Sequence, residues 1–382
     1  LGMRCETFRL GDICTFIDYR GKTPPKTSNG IPLVTAKIIK NSMIQEPQEF
    51  IAENYYNEWM RRGIPQKGDV IFTTEAPLGE VARIKTDDKL AFAQRIIVLE
   101  PNTQQLNAGY LFYALQDIVL KNRIAARATG TTVIGIKAAE LKKVEIDLPP
   151  LQQQEKIADI LSSLDDKIEL NNKINENLEK QAEAIYQKCF GDVDIAKKQG
   201  ILSDICTYSK EKVAVSKLEA NTYFSTVNML PGKSGAAEAS TLPTAPQTTA
   251  CHIGDTLVSN IRPYFKKIVY CYNECGCSSD VLCFTPIHSK YAAYLYSTLY
   301  TDRFFDFMVS GSRGTKMPRG DKHQIMTYPV VLPSDTELDE FNSVVTPFLS
   351  LIHNNRNESR QLSLMRNTLL PKLMNGEFEV NG

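Results

Sequence analysis

The sequence predicts an α+β chain of two tandem domains, separated by two long helices that form a pseudo-two-fold antiparallel coiled coil. Three observations predict it: an internal repeat, short β-branched runs early in each repeat, and a heptad pattern closing each repeat. The repeat is explicit. Leu10-Gly-Asp-Ile-Cys-Thr15 returns as Leu202-Ser-Asp-Ile-Cys-Thr207, Gly68-Asp69 as Gly254-Asp255, and Ala108-Gly-Tyr-Leu-Phe-Tyr-Ala-Leu115 as Ala292-Ala-Tyr-Leu-Tyr-Ser-Thr-Leu299. Gly130-Thr131 and Leu148-Pro149 return as Gly314-Thr315 and Leu332-Pro333, and the offset drifts from 192 to 184 residues. Insertions that collect in loops produce such a drift, and a period this long marks a duplicated domain, not a solenoid unit.

Each repeat opens with strand signals. Ile31–Thr35, Asp69–Thr73 and Arg95–Leu99 are short apolar runs bounded by Gly, Pro or Asn, and Thr256–Ser259 and Asp280–Phe284 occupy corresponding places later. One helix per repeat is expected, at Ala108–Arg127 and Lys290–Val309. The domain boundaries fall at 1–150 and 201–333, with the helical spacers at 151–200 and 334–382. The two globular segments carry an excess of three basic side chains each, and the spacers an excess of three acidic ones, so a net charge of zero hides an alternation.

The helical spacers carry the clearest periodicity. Ile157, Leu161, Leu164, Ile168, Leu178, Ala182 and Ile185 follow a 4-3-4-3 rhythm, with Asn171 and Asn175 at the two missing steps. Adding 184 gives Phe341, Val345, Phe348, Ile352, Asn355, Ser359, Leu362, Arg366 and Leu369, the same seam with polar residues at the same two steps. A seam held over four heptads predicts a coiled coil. Asparagine at such a position weakens the pairing but sets register. Antiparallel pairing about a two-fold puts Asn171 opposite Asn355 and Ile157 opposite Leu369, although parallel pairing in a dimer uses the same seam. Roughly 38 helical residues span about 55 Å, a rigid spacer.

Chemistry is sparse. No glycine loop accompanies an Asn/Asp-Pro-Pro-aromatic run, and no P-loop occurs. Glu140-Leu-Lys142 resembles the tail of a metal-nuclease motif, but no Pro-Asp precedes it and the other repeat has Gln324-Ile-Met326. His252, His288, His323 and His353 lack ligand spacing. Cys271, Cys275, Cys277 and Cys283 lack the paired Cys-x2-Cys geometry of zinc sites, and small buried hydrophobes explain them as well. Cys14 and Cys206 share a repeat position beside isoleucine, which points to core packing. Nine unpatterned cysteines, no membrane-length apolar run and no signal segment point to a reduced, cytoplasmic protein. No residue is assigned a catalytic role, and no metal or cofactor site.

The polar loops are the candidates for binding double-stranded DNA. Arg20, Lys22 and Lys26 form a basic turn; Lys37 follows a strand, with Asn228 as its repeat counterpart; Arg262 and Lys266 flank aromatics. Arg313, Lys316, Arg319 and Lys322 crowd one glycine-rich loop, whose counterpart offers Thr131 and Thr132. Cations, hydroxyls and glycine amides suit phosphates, and Arg and Asn also read base edges. Cations this dense repel one another unless something anionic binds.

The pattern resembles the DNA-specificity subunit of type I restriction–modification systems over essentially the whole chain. The resemblance is carried by Leu148-Pro-Pro-Leu-Gln-Gln-Gln-Glu-Lys-Ile-Ala-Asp-Ile-Leu161 leading into Leu164-Asp-Asp-Lys-Ile168, by Leu10-Gly-Asp-Ile13 with Gly21-Lys-Thr-Pro24, by Gly130-Thr-Thr-Val-Ile134, and by Leu370-Pro-Lys-Leu-Met-Asn-Gly376. The second repeat departs from it: Leu332-Pro-Ser lacks the second proline and Asp335–Phe341 lacks the glutamine run. The resemblance implies that each domain is a target-recognition domain for one half of a split, asymmetric DNA site, with the helices fixing the gap. It also implies partners: two methyltransferase (modification) subunits and restriction (endonuclease/translocase) subunits, which hold S-adenosylmethionine, ATP and Mg2+ and carry the chemistry. The competing expectation is a protein-interaction adaptor with duplicated domains and no DNA readout.

Overall fold

Four antiparallel strands form the centre of each half of the repeat. In the first half the order is Cys14–Asp18, Ile96–Pro101, Val70–Thr74, Leu78–Arg83; in the second it is Cys206–Tyr208, Val281–Pro286, Thr256–Ser259, Ile268–Tyr270. The inner strands are continuous apolar runs, as expected where both faces are covered: Val70 to Thr74 are all buried. The computed structural model describes residues 5–19, 23–191 and 199–377. It divides into two units, Leu1–Glu169 with Ser359–Gly382, and Leu170–Glu358.

In the first unit one sheet face meets the helices Ala108–Ala114 and Ile118–Ala125, burying Leu10, Ile13, Phe72, Leu111 and Leu115, and the other meets a second core around Leu33, Ile51 and Phe92. In the second unit the helices Ala292–Tyr300 and Asp302–Ser310 take the equivalent place, and Phe304 of the latter packs with Val258 and Phe284. The single helix expected in each repeat is therefore a pair. Asp117 and Thr301 break it, each accepting a backbone N–H of the following helix, from Val119 at 2.9 Å and Phe304 at 3.2 Å. A side chain that caps a new helix competes with continuation of the old one.

The long helices run Leu151–Tyr186 and Asp335–Met374, and the boundary between the units falls within both. The first helix is tied down by Gln154, which is buried: its amide donates to the carbonyls of Gln105 and Pro149, both at 2.9 Å, and its oxygen accepts from the Asn107 N–H at 2.9 Å. The second helix starts at a capping box, in which Glu337 accepts from the Ser334 N–H at 2.8 Å and Ser334 accepts from the Glu337 N–H at 3.3 Å. A capping box replaces the glutamine tie that this repeat lacks.

Within the first unit, Ile157 and Leu161 are buried in the core with Leu373, and Leu369 packs against it. Asp165 accepts from Tyr113 at 2.8 Å and from Arg366 at 2.6 Å. Within the second unit, Asn355 donates to Asn175 at 2.9 Å, and Asn171 donates to Glu358 at 2.8 Å and to the Asn355 carbonyl at 3.4 Å. The contact from 171 to 358 and that from 175 to 355 run in opposite directions along the chain, so the pairing is antiparallel. Arg356 meets Glu179 at 2.7 Å, and burial raises that carboxyl above its ordinary range. Phe341, Val345 and Ile352 are buried, while Leu164, Ile168, Leu178, Ile185, Phe348 and Leu362 are half-buried. The seam thus does two jobs. Its outer steps anchor each helix into a globule, and its polar steps set a register that differs by one turn from the expected one: the Asn355 side chain pairs with Asn175, not Asn171, which reaches only the Asn355 carbonyl and bonds Glu358.

Cys14 and Cys206 lie in the cores, and burial pushes the Cys14 thiol up to about 12. Cys271, Cys275, Cys277 and Cys283 join Cys251, Met229 and Leu257 in one buried cluster. Among the described residues no group of three or more His, Cys, Asp or Glu side chains is placed to hold a metal ion, and no helix is long and apolar enough to cross a membrane.

Leu161→Ala should cost about 2–5 kcal/mol, because it empties a fully buried site. Leu170→Ala, on the same helix but 51% exposed, should change stability by no more than about 0.5 kcal/mol. Chemical denaturation of the two variants checks this; equal losses would contradict the seam assignment.

Candidate nucleic-acid interface

Two loops at repeat-equivalent positions are built on the same frame. In the first unit, Thr129 and Gly135 exchange backbone hydrogen bonds of 2.8 and 3.0 Å. In the second, Arg313 and Arg319 exchange two of 2.9 Å. Each loop is then pinned to the end of a central strand: Gly135 bridges Glu75 and the Ile136 N–H donates to Thr74 at 2.9 Å, while Arg319 bridges Ile261 and the Arg262 N–H donates to Pro318 at 2.8 Å. Gly130 and Gly314 hold φ of +128° and +100°, the region that favours glycine. A Cβ on Gly130 would lie 2.0 Å from the Val133 carbonyl oxygen. The frame is shared, and the exposed tips differ: Thr131-Thr132-Val133 against Thr315-Lys316-Met317.

The candidate cations do not all remain available. Lys26 pairs with Glu49 at 2.7 Å, Lys266 with Asp302 at 2.9 Å, Arg313 with Asp321 at 3.3 Å and Arg319 with Asp280 at 3.0 Å. Hydrogen bonds from Lys233 and then Lys266 hold the Asp302 carboxyl below its usual range. Asp321 is held low by the backbone N–H groups of Gln324 and His323, which it caps, and by Arg313. Exposed pairs of this kind exchange readily with solvent and contribute little, so Arg313 and Arg319 can still turn to a phosphate. Lys37, Lys316 and Lys322 are exposed with no ion pair among the described residues. Arg262 is half-buried and reaches the Lys316 carbonyl at 3.4 Å, bracing the loop from below.

Asn228 is corrected by the structure. It is 6% exposed and its amide is fully used: it donates to Tyr223 at 2.9 Å and to Ala237 at 3.0 Å, and accepts from the Ser225 N–H at 2.7 Å. It holds a turn and offers nothing to a base edge. Arg20 and Lys22 lie outside the described residues. Thr131, Thr132, Lys316, Arg313 and Arg319 lie on the two loop frames, whereas Lys26 and Lys37 lie far from the Thr129–Gly135 frame in the chain.

Sequence reasoning missed two things. Lys233 sits beside Lys266 on Asp302, at 2.8 Å, and covers the Tyr300 ring at 4.6 Å; no local pattern marks it, because Tyr300 and Asp302 are 67 and 69 residues away in sequence. Tyr264 and Phe265 were legible as aromatics among cations, but their exposure was not.

Comparison with known proteins finds similarity to one family. A family model described as the type I restriction modification DNA specificity domain matches residues 4–180. The MjaIX specificity subunit of a type I restriction enzyme from Methanocaldococcus jannaschii is 24% identical over 92% of this chain and 87% of its own length. The HindI specificity subunit from Haemophilus influenzae is 28% identical over 41% of this chain and 36% of its own. The crystal structure of a type I restriction–modification S subunit from M. genitalium has the same fold, with a TM-score of 0.65 and 16% identity, covering 97% of this chain and 96% of that one.

Gly130→Ala should unpin the first loop, since the added methyl meets a carbonyl and the backbone is strained there. Amide exchange at Thr129 and Gly135 should accelerate at least tenfold, roughly 1.4 kcal/mol of lost protection, with the helix Ile118–Ala125 unaffected. Unchanged protection at both amides would show that the glycine is dispensable.

Proposed function

Because the chain belongs to the DNA specificity family of type I restriction–modification systems, we propose that its two units read the two parts of one split DNA site. One observation carries this reading: two equivalent loops share a backbone frame and differ at their tips. Gly130-Thr131 and Gly314-Thr315 supply the same amide and hydroxyl to a phosphate in each half. Thr132 and Lys316, at the next position, present a hydroxyl and a cation, so the two units engage the duplex differently. An asymmetric site with a fixed interval is what such a pair recognises, and the register of the long helices sets the interval.

The chain supplies recognition within a complex. Two modification subunits and the restriction subunits dock on it in the cytoplasm, and S-adenosylmethionine, ATP and Mg2+ belong to those partners. No step of methylation or cleavage is assigned to a residue of this chain.

Binding should weaken linearly in log salt, because cations displace condensed counterions. Lys316→Ala should lower the slope by about 0.9, one phosphate contact, and weaken binding across sequences alike. An unchanged slope would place Lys316 off the DNA. Removing one heptad from each long helix shortens the pair by about 10 Å, or roughly three base pairs of duplex. The preferred spacer, mapped from methylated sites, should contract accordingly; a spacer that stays the same excludes the helices as its determinant.

A further inference from the structure

We propose that Tyr264 and Phe265 form an aromatic wedge that stacks at a base step in the part of the DNA site read by the second unit. The inference rests on the DNA reading above and adds to it a mode of contact that the first unit lacks.

Both rings are left uncovered, Tyr264 at 50% and Phe265 at 39% exposure, with their centroids 4.8 Å apart. A buried aromatic of this size would remove 150–250 Å2 from water, so leaving two side by side on the surface forgoes a large stabilisation. Nor is the turn loose. Pro263–Phe265 is one helical turn bounded by Arg262 and Lys266, both left-handed with φ of 50° and 51°. Non-glycine residues hold that conformation only where surrounding bonds over-determine it. Here the Phe265 N–H donates to Arg262 and the Lys266 N–H to Pro263, while Gly232 and Lys233 donate to the carbonyls of Phe265 and Lys266, at 2.8–2.9 Å. The Arg262 N–H fastens the same turn to the Arg313–Arg319 loop.

Charge identifies the occupant. Lys267 lies 5.9 Å over the Phe265 ring, Lys266 ends the turn, and the Lys316 carbonyl meets the guanidinium of Arg262. Exposed rings rimmed by cations suit a ligand with flat apolar faces and a phosphate backbone, which is a nucleic acid. Side chains that enter a base step unstack it, and rings do so without base specificity of their own. The corresponding residues of the first unit, Pro77-Leu78-Gly79, carry no ring, and Leu78 there begins a strand. The wedge therefore belongs to one half of the site.

The test uses the full chain co-purified with its partner subunits, and duplexes carrying the site mapped from methylated genomic DNA, with 2-aminopurine stepped through each half. One step in the second unit's half should brighten on binding. The double substitution Tyr264→Ala with Phe265→Ala should abolish that signal and weaken binding about tenfold to a hundredfold, with the salt slope unchanged. Phe265→Trp should keep the signal, and Phe265→Leu should lose most of it. Because both rings are exposed, thermal stability should not move. If the double variant binds and reports as the parent does while Lys316→Ala weakens binding, the wedge is wrong and the DNA reading stands. If neither change affects binding, both fail. A loss accompanied by a lower salt slope would also overturn the wedge, since it would mean lost phosphate contacts.

Discussion

A buried amide pair governs how the long helices meet. In the second unit Asn355 donates to Asn175 and Asn171 reaches both Glu358 and the Asn355 carbonyl, inside a seam whose neighbouring steps are apolar. A slip of one turn would strand these amides without partners, at a cost of about 1–3 kcal/mol each. Apolar steps tolerate such slips far better, since leucine packs against leucine in several registers. The polar steps weaken the seam and make its register specific.

The same division between frame and variable group recurs in the loops. Reciprocal backbone bonds and a left-handed glycine close each loop, and neither device depends on side-chain identity elsewhere in the loop. The tip residues are thereby free to change without disturbing the fold. Duplication followed by change at Thr132 and Lys316 leaves two tips of different chemistry, one hydroxyl and one cationic, on the same frame. Rigid strands behind each loop keep the tips positioned, which is the usual arrangement where a scaffold presents binding residues.

Charge is managed locally. Several cations of the second unit are matched by a carboxylate close at hand, Asp302 for Lys233 and Lys266, Asp321 for Arg313, Asp280 for Arg319. Such pairs limit repulsion in the unbound chain, and a phosphate can displace the carboxylate because exposed pairs are weak. A chain with a net charge of zero can therefore carry a basic surface where it is needed.

Much of this architecture was legible in the residues alone, because periodicity and repetition are local signals. The strands at Ile31, Val70 and Thr256, the two long helices and their antiparallel pairing follow from apolar spacing and from comparing the repeats, whereas the register, with Asn355 against Asn175, lies one turn from the one the repeats suggested. The break at Asp117 and Thr301 was not legible, since a capping side chain reads the same as a surface polar residue until the helix direction is known. Nor was the role of Asn228, whose bonds run to Tyr223 and Ala237, or of Gln154, whose partners lie at Gln105, Asn107 and Pro149. The sequence by itself determined that one module occurs twice and is joined by a registered helical seam. Only the tertiary structure decided which side chains are spent inside the fold and which, such as Lys316, Tyr264 and Phe265, are left exposed. The reason is physical: hydrogen bonds and exposure depend on residues far apart in the chain, and no local pattern encodes them.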